Sequence, residues 1–145
     1  MHVRPLGELR MVLAVSAQHR LANRKAVTLQ ALREETFVDV SRDWGTRLIT
    51  DRALAAAAIE RRVAFELNDL FTAMDLISAG LAVAVMPELE MTRNDGLKLI
   101  PITGSRMVWE ISMVSREGDL SPAAEELIRH LLEARGGPLP ISTRD

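Results

Sequence analysis

Two kinds of apolar segment alternate along the chain. The first kind is short and continuously apolar, as in residues 9–15 (LRMVLAV) and 81–86 (LAVAVM). Such runs are typical of strands that are covered on both faces. The predicted strands are residues 9–15, 37–40, 63–67, 81–86, 97–102 and 107–114. In the last of these, alternation predicts that Trp109, Ile111 and Met113 share one face.

The second kind of segment carries apolar residues at helical spacing. The predicted helices are residues 28 to 34 or 35, 47–61, the segment that follows Asn68 or Asp69, and 121–135. Their expected apolar positions are Leu48, Ala55 and Ile59, then Leu70, Phe71, Met74 and Ile77, and finally Ala124, Leu127, Ile128, Leu131 and Leu132. Thr28, Asn68 or Asp69, and Ser121 are the predicted N-caps, and Gly80 is the predicted C-terminal cap.

Because strands and helices alternate, the sequence predicts an α/β fold with an open, mixed and mostly parallel sheet that is flanked by helices. Ligands of such sheets bind beyond the carboxyl ends of the strands, where helix N-termini present free N–H groups. Two strand-to-helix junctions meet this description, residues 41–46 and residues 68–70. Residues 94–96 (NDG) predict a turn, and residues 138–145 a disordered tail.

The composition is that of an ordinary globular domain. The 145 residues are 48% apolar and 26% charged, with a formal net charge of −2. This balance argues against a protein that coats nucleic acid. The absence of cysteine excludes disulfides, thiol nucleophiles and cysteine-ligated metals. No apolar run is long enough to span a bilayer, and residues 1–8 lack the apolar core of a signal peptide, so a cytoplasmic location is expected.

Four stretches carry a family resemblance. They are the 9–15 strand with His19-Arg-Leu-Ala22 and Val27-Thr-Leu-Gln-Ala-Leu32, then Phe37-Val-Asp-Val-Ser41, then residues 68–87 (NDLFTAMDLISAGLAVAVMP), and last Ser112-Met-Val-Ser-Arg116 with Ser121-Pro-Ala-Ala124. In this order they resemble the effector-binding (substrate-binding) domain of LysR-type bacterial transcriptional regulators, a relative of periplasmic binding proteins. Arg20 replaces the usual proline and Ala82 the usual second glycine.

The resemblance implies that residues 1–137 form a partial effector-binding domain with a Rossmann-like, periplasmic-binding-protein-like subdomain. Residues 16–103 would be the second subdomain, and residues 9–15 and 107–114 two crossing strands. The 121–135 helix would belong to the first subdomain, most of which is missing, as is the winged helix-turn-helix. The chain would therefore sense a small molecule and self-associate, without binding DNA directly and without contacting a membrane.

The resemblance also implies which residues face the effector. Ser41, Arg42 and Thr46 would hydrogen-bond the carboxylate of a small anionic metabolite, and Trp44 would pack against its apolar part. Asn68 and Asp69 would be further cleft contacts. The simpler alternative is that Ser41 and Thr46 only cap the next helix, that Arg42 is solvated, and that Asn68 or Asp69 is a plain N-cap. Binding is expected to be weak or lost, because the chain supplies at most half of the cleft.

Other chemistry finds little support. His2, His19 and His130 have no second ligand at metal spacing, so no metal site is predicted, and His19 is interpreted as a turn residue. The basic groups Arg61-Arg62 and Arg20, Arg24 and Lys25 are interpreted as solvated surface. No catalytic constellation or cofactor motif occurs, so the chain is not expected to be an enzyme.

Two apolar surfaces need cover, the 9–15 strand and the stripe of the 121–135 helix. We hypothesise that a homodimer covers them.

The alternatives to a regulator's effector-binding domain are a fragment of a periplasmic-type solute-binding protein or a small α/β enzyme subunit.

Overall fold

The computed structural model describes residues 2–89, 96–115 and 120–134. Within these ranges the strands are β1 (His2–Ser16), β2 (Val27–Thr28), β3 (Thr36–Asp39), β4 (Arg62–Glu66), β5 (Ala84–Pro87), β6 (Leu97–Thr103) and β7 (Val108–Ser115). The helices are α1 (Gly45–Ala56), α2 (Leu70–Ser78) and α3 (Pro122–Ala134). Most of the predicted 94–96 turn and all of the predicted 138–145 tail lie outside the described residues.

The described chain forms two compact units. One unit is Arg10–Trp109, and the residues described before Arg10 and after Trp109 form the other. The limits fall at the start of the predicted 9–15 strand and inside the predicted 107–114 strand. In the described part of the chain, no helix is long and apolar enough to cross a membrane.

The Arg10–Trp109 unit is α/β, which confirms the predicted fold class. Its larger sheet has the order β2-β6-β1-β5, and β3 pairs with β4 in parallel. The sequence predicts a mostly parallel sheet, but in the larger sheet β1 runs antiparallel to both of its neighbours β5 and β6. A strand that is buried on both faces has the same apolar pattern whichever way its neighbours run, so the sequence pattern could not reveal this direction.

Strand β1 is the centre of this unit. Met11, Leu13 and Val15 belong to one apolar cluster and Ala14 to a second one, and all four side chains are buried. The predicted covering of this strand on both faces is therefore confirmed. Because the cover comes from the chain's own unit, the hypothesis that a partner must cover the 9–15 strand is wrong.

Helix α1 differs from its prediction in length and in the face that it buries. It ends at Ala56 rather than residue 61, because Ala58 adopts a left-handed conformation with φ 54°. The Ala58 N–H then bonds Ala55 O at 3.0 Å and the Ile59 N–H bonds Leu54 O at 2.9 Å, a Schellman cap. The buried residues are Arg47, Thr50 and Leu54, whereas the predicted core residue Leu48 is 45% exposed.

Helix α2 has both predicted caps. Asp69 Oδ2 accepts from the Thr72 N–H at 2.8 Å, and Gly80 has φ 75° in a second Schellman cap. Met74 and Ile77 are buried as predicted, but Phe71 is 63% exposed. The predicted helix after Thr28 is instead a single 3₁₀ turn, Leu29–Leu32, and Thr28 makes no side-chain cap bond. Leu29 and Leu32 are three residues apart, a spacing that fits a 3₁₀ turn as well as an α-helix.

The second unit contains the part of β1 before Arg10, the part of β7 after Trp109, and α3, and β7 pairs with β1. Exposure alternates along β7, so that Trp109, Ile111 and Met113 share its less exposed face, as predicted. Ser121 Oγ accepts from the Ala124 N–H at 3.2 Å, which confirms that Ser121 caps α3. Leu127, Leu131 and Leu132 are 61, 43 and 38% exposed. Most of the predicted α3 stripe therefore faces outward among the described residues of this unit.

Candidate functional site

The two junctions singled out in the sequence meet at one edge of the fold. Strands β3 and β4 are parallel neighbours, so their carboxyl ends lie together, and each is followed by a loop and a helix N-terminus. The loops are joined by Ser41 and Asn68. Asn68 Oδ1 accepts from the Ser41 N–H at 3.1 Å and from Ser41 Oγ at 3.0 Å, and Asn68 Nδ2 donates to Ser41 Oγ at 2.8 Å.

A pocket of about 190 Å³ opens beside these loops. Its lining combines the end of β3, the N-terminal parts of α1 and α2, and the β5 segment. The lining residues are Val38, Asp39, Val40, Trp44, Thr46, Leu67, Asn68, Asp69, Leu70, Ala73, Ile77, Ala84, Val85, Met86, Pro87, Leu89 and Trp109. The pocket is mainly apolar, and both tryptophans of the chain line it.

Five of the six predicted site residues come together here. Trp44, Thr46, Asn68 and Asp69 line the pocket, and Ser41 is hydrogen-bonded to Asn68 at its edge. Arg42 is different, because it lines a wider cavity of about 1010 Å³ together with residues of α1, of the segment between α1 and β4, and of the start of β4. The turn in which the Trp44 N–H bonds Ser41 O at 3.1 Å separates them, because successive residues of a turn point in different directions.

The N-termini of the two helices differ in how they are capped. Asp69 caps α2, and its hydrogen bonds from the Thr72 hydroxyl and the Thr72 N–H lower the pKa of the Asp69 carboxyl, which is therefore ionised at neutral pH. Trp44 is the N-cap residue of α1, where no side chain makes a cap bond. The alternative role of Ser41 and Thr46 as caps of α1 is therefore not observed. Within the described part of the chain, no side chain accepts a cap bond from the first N–H groups of α1.

A buried ion cluster lies behind the end of β3. Asp39 forms an ion pair with Arg61, and both side chains are only 6% exposed. Arg61 Nη2 also donates to Asp51 at 2.6 Å, while Arg47 Nε donates to Asp51 at 3.0 Å. Arg47 Nη1 donates to the Val40 carbonyl at 2.9 Å. The cluster thus ties α1 to the strand end from which the pocket loop leaves.

The two carboxylates of the cluster shift in opposite directions. Burial raises the pKa of Asp39, although the charge of Arg61 and the Val40 N–H oppose that rise. For Asp51 burial also acts to raise the pKa, but it is outweighed by hydrogen bonds and charge from Arg61 and Arg47, so the pKa is lowered. The Arg61 guanidinium also lies 5.2 Å from the centroid of the Phe37 ring, within cation–π range.

Sequence reasoning missed this cluster. The interpretation of Arg61 as a solvated basic residue is wrong, because Arg61 is buried among carboxylates. The one available signal is the i, i+4 spacing of Arg47 and Asp51 on a predicted helix. Arg20 is also paired, with Glu35, and the same carboxyl lies 3.1 Å from His19 Nε2. Across residues 2–89, 96–115 and 120–134, no His, Asp or Glu side chains gather in a way that could hold a metal ion.

Comparison with known proteins identifies the fold and the family. A family model described as "LysR substrate binding domain" matches residues 1–136. The chain belongs to this family. Among curated proteins it is 28% identical over 124 residues to the uncharacterized HTH-type transcriptional regulator YybE of Bacillus subtilis (strain 168), covering 81% of this chain and 41% of the relative. It is 30% identical over 132 residues to YnfL of Escherichia coli (strain K12), covering 86% and 43%.

Two solved structures superpose on this chain over most of its length. The effector-binding domain of QuiR in complex with shikimate superposes with a TM-score of 0.77 at 19% identity, over 92% of this chain and 64% of that one. The regulatory domain of Synechocystis PCC6803 CcmR in complex with 2-PG gives 0.80 at 18% identity, over 95% and 68%. At these identities the likeness shows the fold.

The chain is thus a LysR-type effector-binding domain, which confirms the resemblance found in the sequence. It spans about two-fifths of the length of the curated relatives it matches.

Proposed function

We propose that the pocket beside Trp44 and Asn68 is this chain's part of the effector cleft, and that Ser41, Trp44, Thr46, Asn68 and Asp69 contact the effector. One observation carries the proposal. Four residues from two separate segments, Trp44, Thr46, Asn68 and Asp69, line a single apolar pocket next to two helix N-termini, and Ser41 is hydrogen-bonded to Asn68. Arg42 is left out because it lines another cavity.

The effector proposed here is a small anionic metabolite. Among the described residues no side chain caps the N–H groups that begin α1, and Trp44 and Thr46, at the start of this helix, line the pocket. Such a helix N-terminus attracts an anion through its free donors and its partial positive charge. That QuiR and CcmR were solved with shikimate and 2-PG supports a small-molecule ligand in this family.

The chain acts as a sensor in this proposal and not as an enzyme. A ligand that binds one arrangement of a regulator more tightly than another shifts the population toward that arrangement. The effector would thereby change the spacing of DNA-binding domains elsewhere in a cytoplasmic regulator. Binding by this chain alone is expected to be weak, because the pocket is partly open to solvent.

A thermal-shift screen of small carboxylates and phosphates, followed by titration of the hits, tests the site. Trp44 and Leu48 are similarly exposed, at 48 and 45%, but only Trp44 lines the pocket. We expect Trp44→Ala to weaken binding of a hit by at least about tenfold, which corresponds to about 1.4 kcal/mol. Leu48→Ala should bind normally. Equal losses in both variants, or a screen without any hit, would contradict the proposed site.

We further propose that α3 mediates homodimerisation. Leu127, Leu131 and Leu132 form an exposed apolar stripe, and burying one such side chain stabilises an assembly by roughly 1.5–3 kcal/mol. Size-exclusion chromatography with light scattering should find a dimer in the unmodified chain and a monomer in the Leu127→Ala/Leu131→Ala variant. Glu126→Ala, an exposed residue on the opposite side of α3 from the stripe, is the matched control and should remain dimeric. A monomeric unmodified chain at micromolar concentration would refute this part of the proposal.

A further inference from the structure

The size and lining of the pocket restrict the part of the effector that can enter it. Its volume of about 190 Å³ is somewhat larger than an apolar cavity of about 150 Å³ that takes up benzene. Trp44 and Trp109 line it together with apolar residues of α2 and β5, such as Ile77 and Met86. A single ring with one small substituent therefore matches both the space and the chemistry.

Charge adds a second restriction. Asp69 is exposed and lines the pocket at the start of α2, and its hydrogen bonds with Thr72 stabilise the charged form. Asp39 also contributes to the lining. The charge of Asp39 is paired with Arg61, but among the described lining residues there is no Lys or Arg that could offset Asp69. An acidic group that reached the α2 wall would meet a like charge and no cation.

We infer that the pocket takes an apolar, ring-sized part of the effector and excludes an acidic group from its α2 wall. This inference rests on the proposed function and adds an orientation to it. The acidic group of the effector stays at the α1 side of the rim, near Ser41 and Thr46, while the apolar body points toward α2. The effector class is accordingly a monocarboxylate with a compact aromatic or cyclic aliphatic body, and not a dicarboxylate.

Two probes that share a benzoate core and differ only in the substituent opposite its carboxylate separate these classes. In 4-methylbenzoate a methyl group stands opposite the carboxylate, whereas terephthalate has a second carboxylate at that position. The chain has only two tryptophans and both line the pocket, so their two indole N–H signals in a ¹H–¹⁵N spectrum report occupancy directly. We expect 4-methylbenzoate to shift both signals and to bind at least about tenfold more tightly than terephthalate.

Asp69→Asn tests the cause of this preference. Asparagine is also a good N-cap, so α2 should stay capped while the charge is lost. The variant should reduce the ratio of the dissociation constants of terephthalate and 4-methylbenzoate by at least about threefold. Asp75→Asn removes the same charge from an exposed position of α2 that does not line the pocket, and it should leave the ratio unchanged.

The outcomes are distinct. Terephthalate binding as tightly as 4-methylbenzoate, or a ratio that does not respond to Asp69→Asn, would overturn the inference. Failure of 4-methylbenzoate at millimolar concentration to shift either indole would also overturn it. The proposed function survives each of these results if a compound from the metabolite screen still loses affinity in Trp44→Ala, and it fails independently if no compound does so.

Discussion

Replacing Arg61 with methionine should strongly destabilise the fold, because it removes a charge but little volume from a buried cluster. The Asp39 and Arg61 side chains are each 6% exposed, and the other nearby cation, Arg47, has its Nε 3.7 Å from Asp39 Oδ2. Breaking a buried pair on one side costs roughly 3–5 kcal/mol. Since Arg47 remains, we expect a loss of about 3 kcal/mol in the free energy of unfolding, at the lower end of that range.

Urea unfolding followed by tryptophan fluorescence measures this loss as a lower midpoint at an unchanged slope. Arg62→Met is the matched control, because Arg62 is exposed and next in sequence, and its cost should stay within about 0.5 kcal/mol. The Asp39→Asn/Arg61→Met double variant should lose less stability than the sum of its single variants, because it leaves no buried charge unpaired. The reasoning is refuted if Arg61→Met lowers the free energy of unfolding no more than Arg62→Met does. It is also refuted if the loss in the double variant equals the sum of the losses in Asp39→Asn and Arg61→Met.

The pH dependence of the stability of Arg61→Met tests the interaction of Arg61 with Asp39. Burial already raises the pKa of Asp39, and removing Arg61 takes away the largest opposing influence, so the folded-state pKa should rise further. The folded state then holds a proton that the unfolded state has released, and stability falls as pH rises through the folded-state pKa. The cost of Arg61→Met should therefore be larger at neutral than at mildly acidic pH, and the opposite trend would contradict the assignment.

Two further predictions concern helix ends and use the same unfolding assay. Asp69→Ala removes the N-cap of α2 and should cost about 1 kcal/mol, whereas Asp69→Asn should cost much less; equal costs would show that the cap is unimportant. Ala58 and Gly80 both occupy left-handed positions of Schellman caps, with φ of 54° and 75°. Ala58→Gly should therefore stabilise by about 1 kcal/mol and Gly80→Ala destabilise by about as much. A Cβ at Gly80 would lie 3.8 Å from Ser16 Oγ, an ordinary contact, so a much larger loss at Gly80 would mean that packing and not backbone strain decides.

The helix ends also show what the sequence can and cannot reveal. Asp69 and Gly80 predict the two ends of α2 because their effects are local. The Asp69 side chain caps the first turn, and Gly80 readily adopts the left-handed conformation that ends the helix. The end of α1 has no such signal, because alanine is a poor left-handed residue and Ala58 is held there by the packing of Leu54 and Ile59 in the core. The α1 prediction therefore ran five residues too far.

At the site, the sequence likewise predicts the position of some residues and not of others. The position of Ser41 and Asn68 follows from local order, since each stands between a parallel strand and a helix N-terminus. The burial of Arg61 depends on Asp39 and Asp51, which approach it only in the folded chain, so no local pattern could reveal it. The same holds for Arg42, whose distance from the pocket is decided by the direction in which the loop turns.

The pocket as the effector site is tested most directly by titrating the strongest hit of the metabolite screen into ¹⁵N-labelled protein and following the two indole N–H signals. We predict that the Trp44 and Trp109 signals shift together and saturate with one dissociation constant, and that Trp44→Ala weakens that constant while Leu48→Ala does not. Saturable binding that leaves both indoles unmoved and instead shifts backbone signals around Arg42 and Arg62, in the wider cavity, would contradict the account.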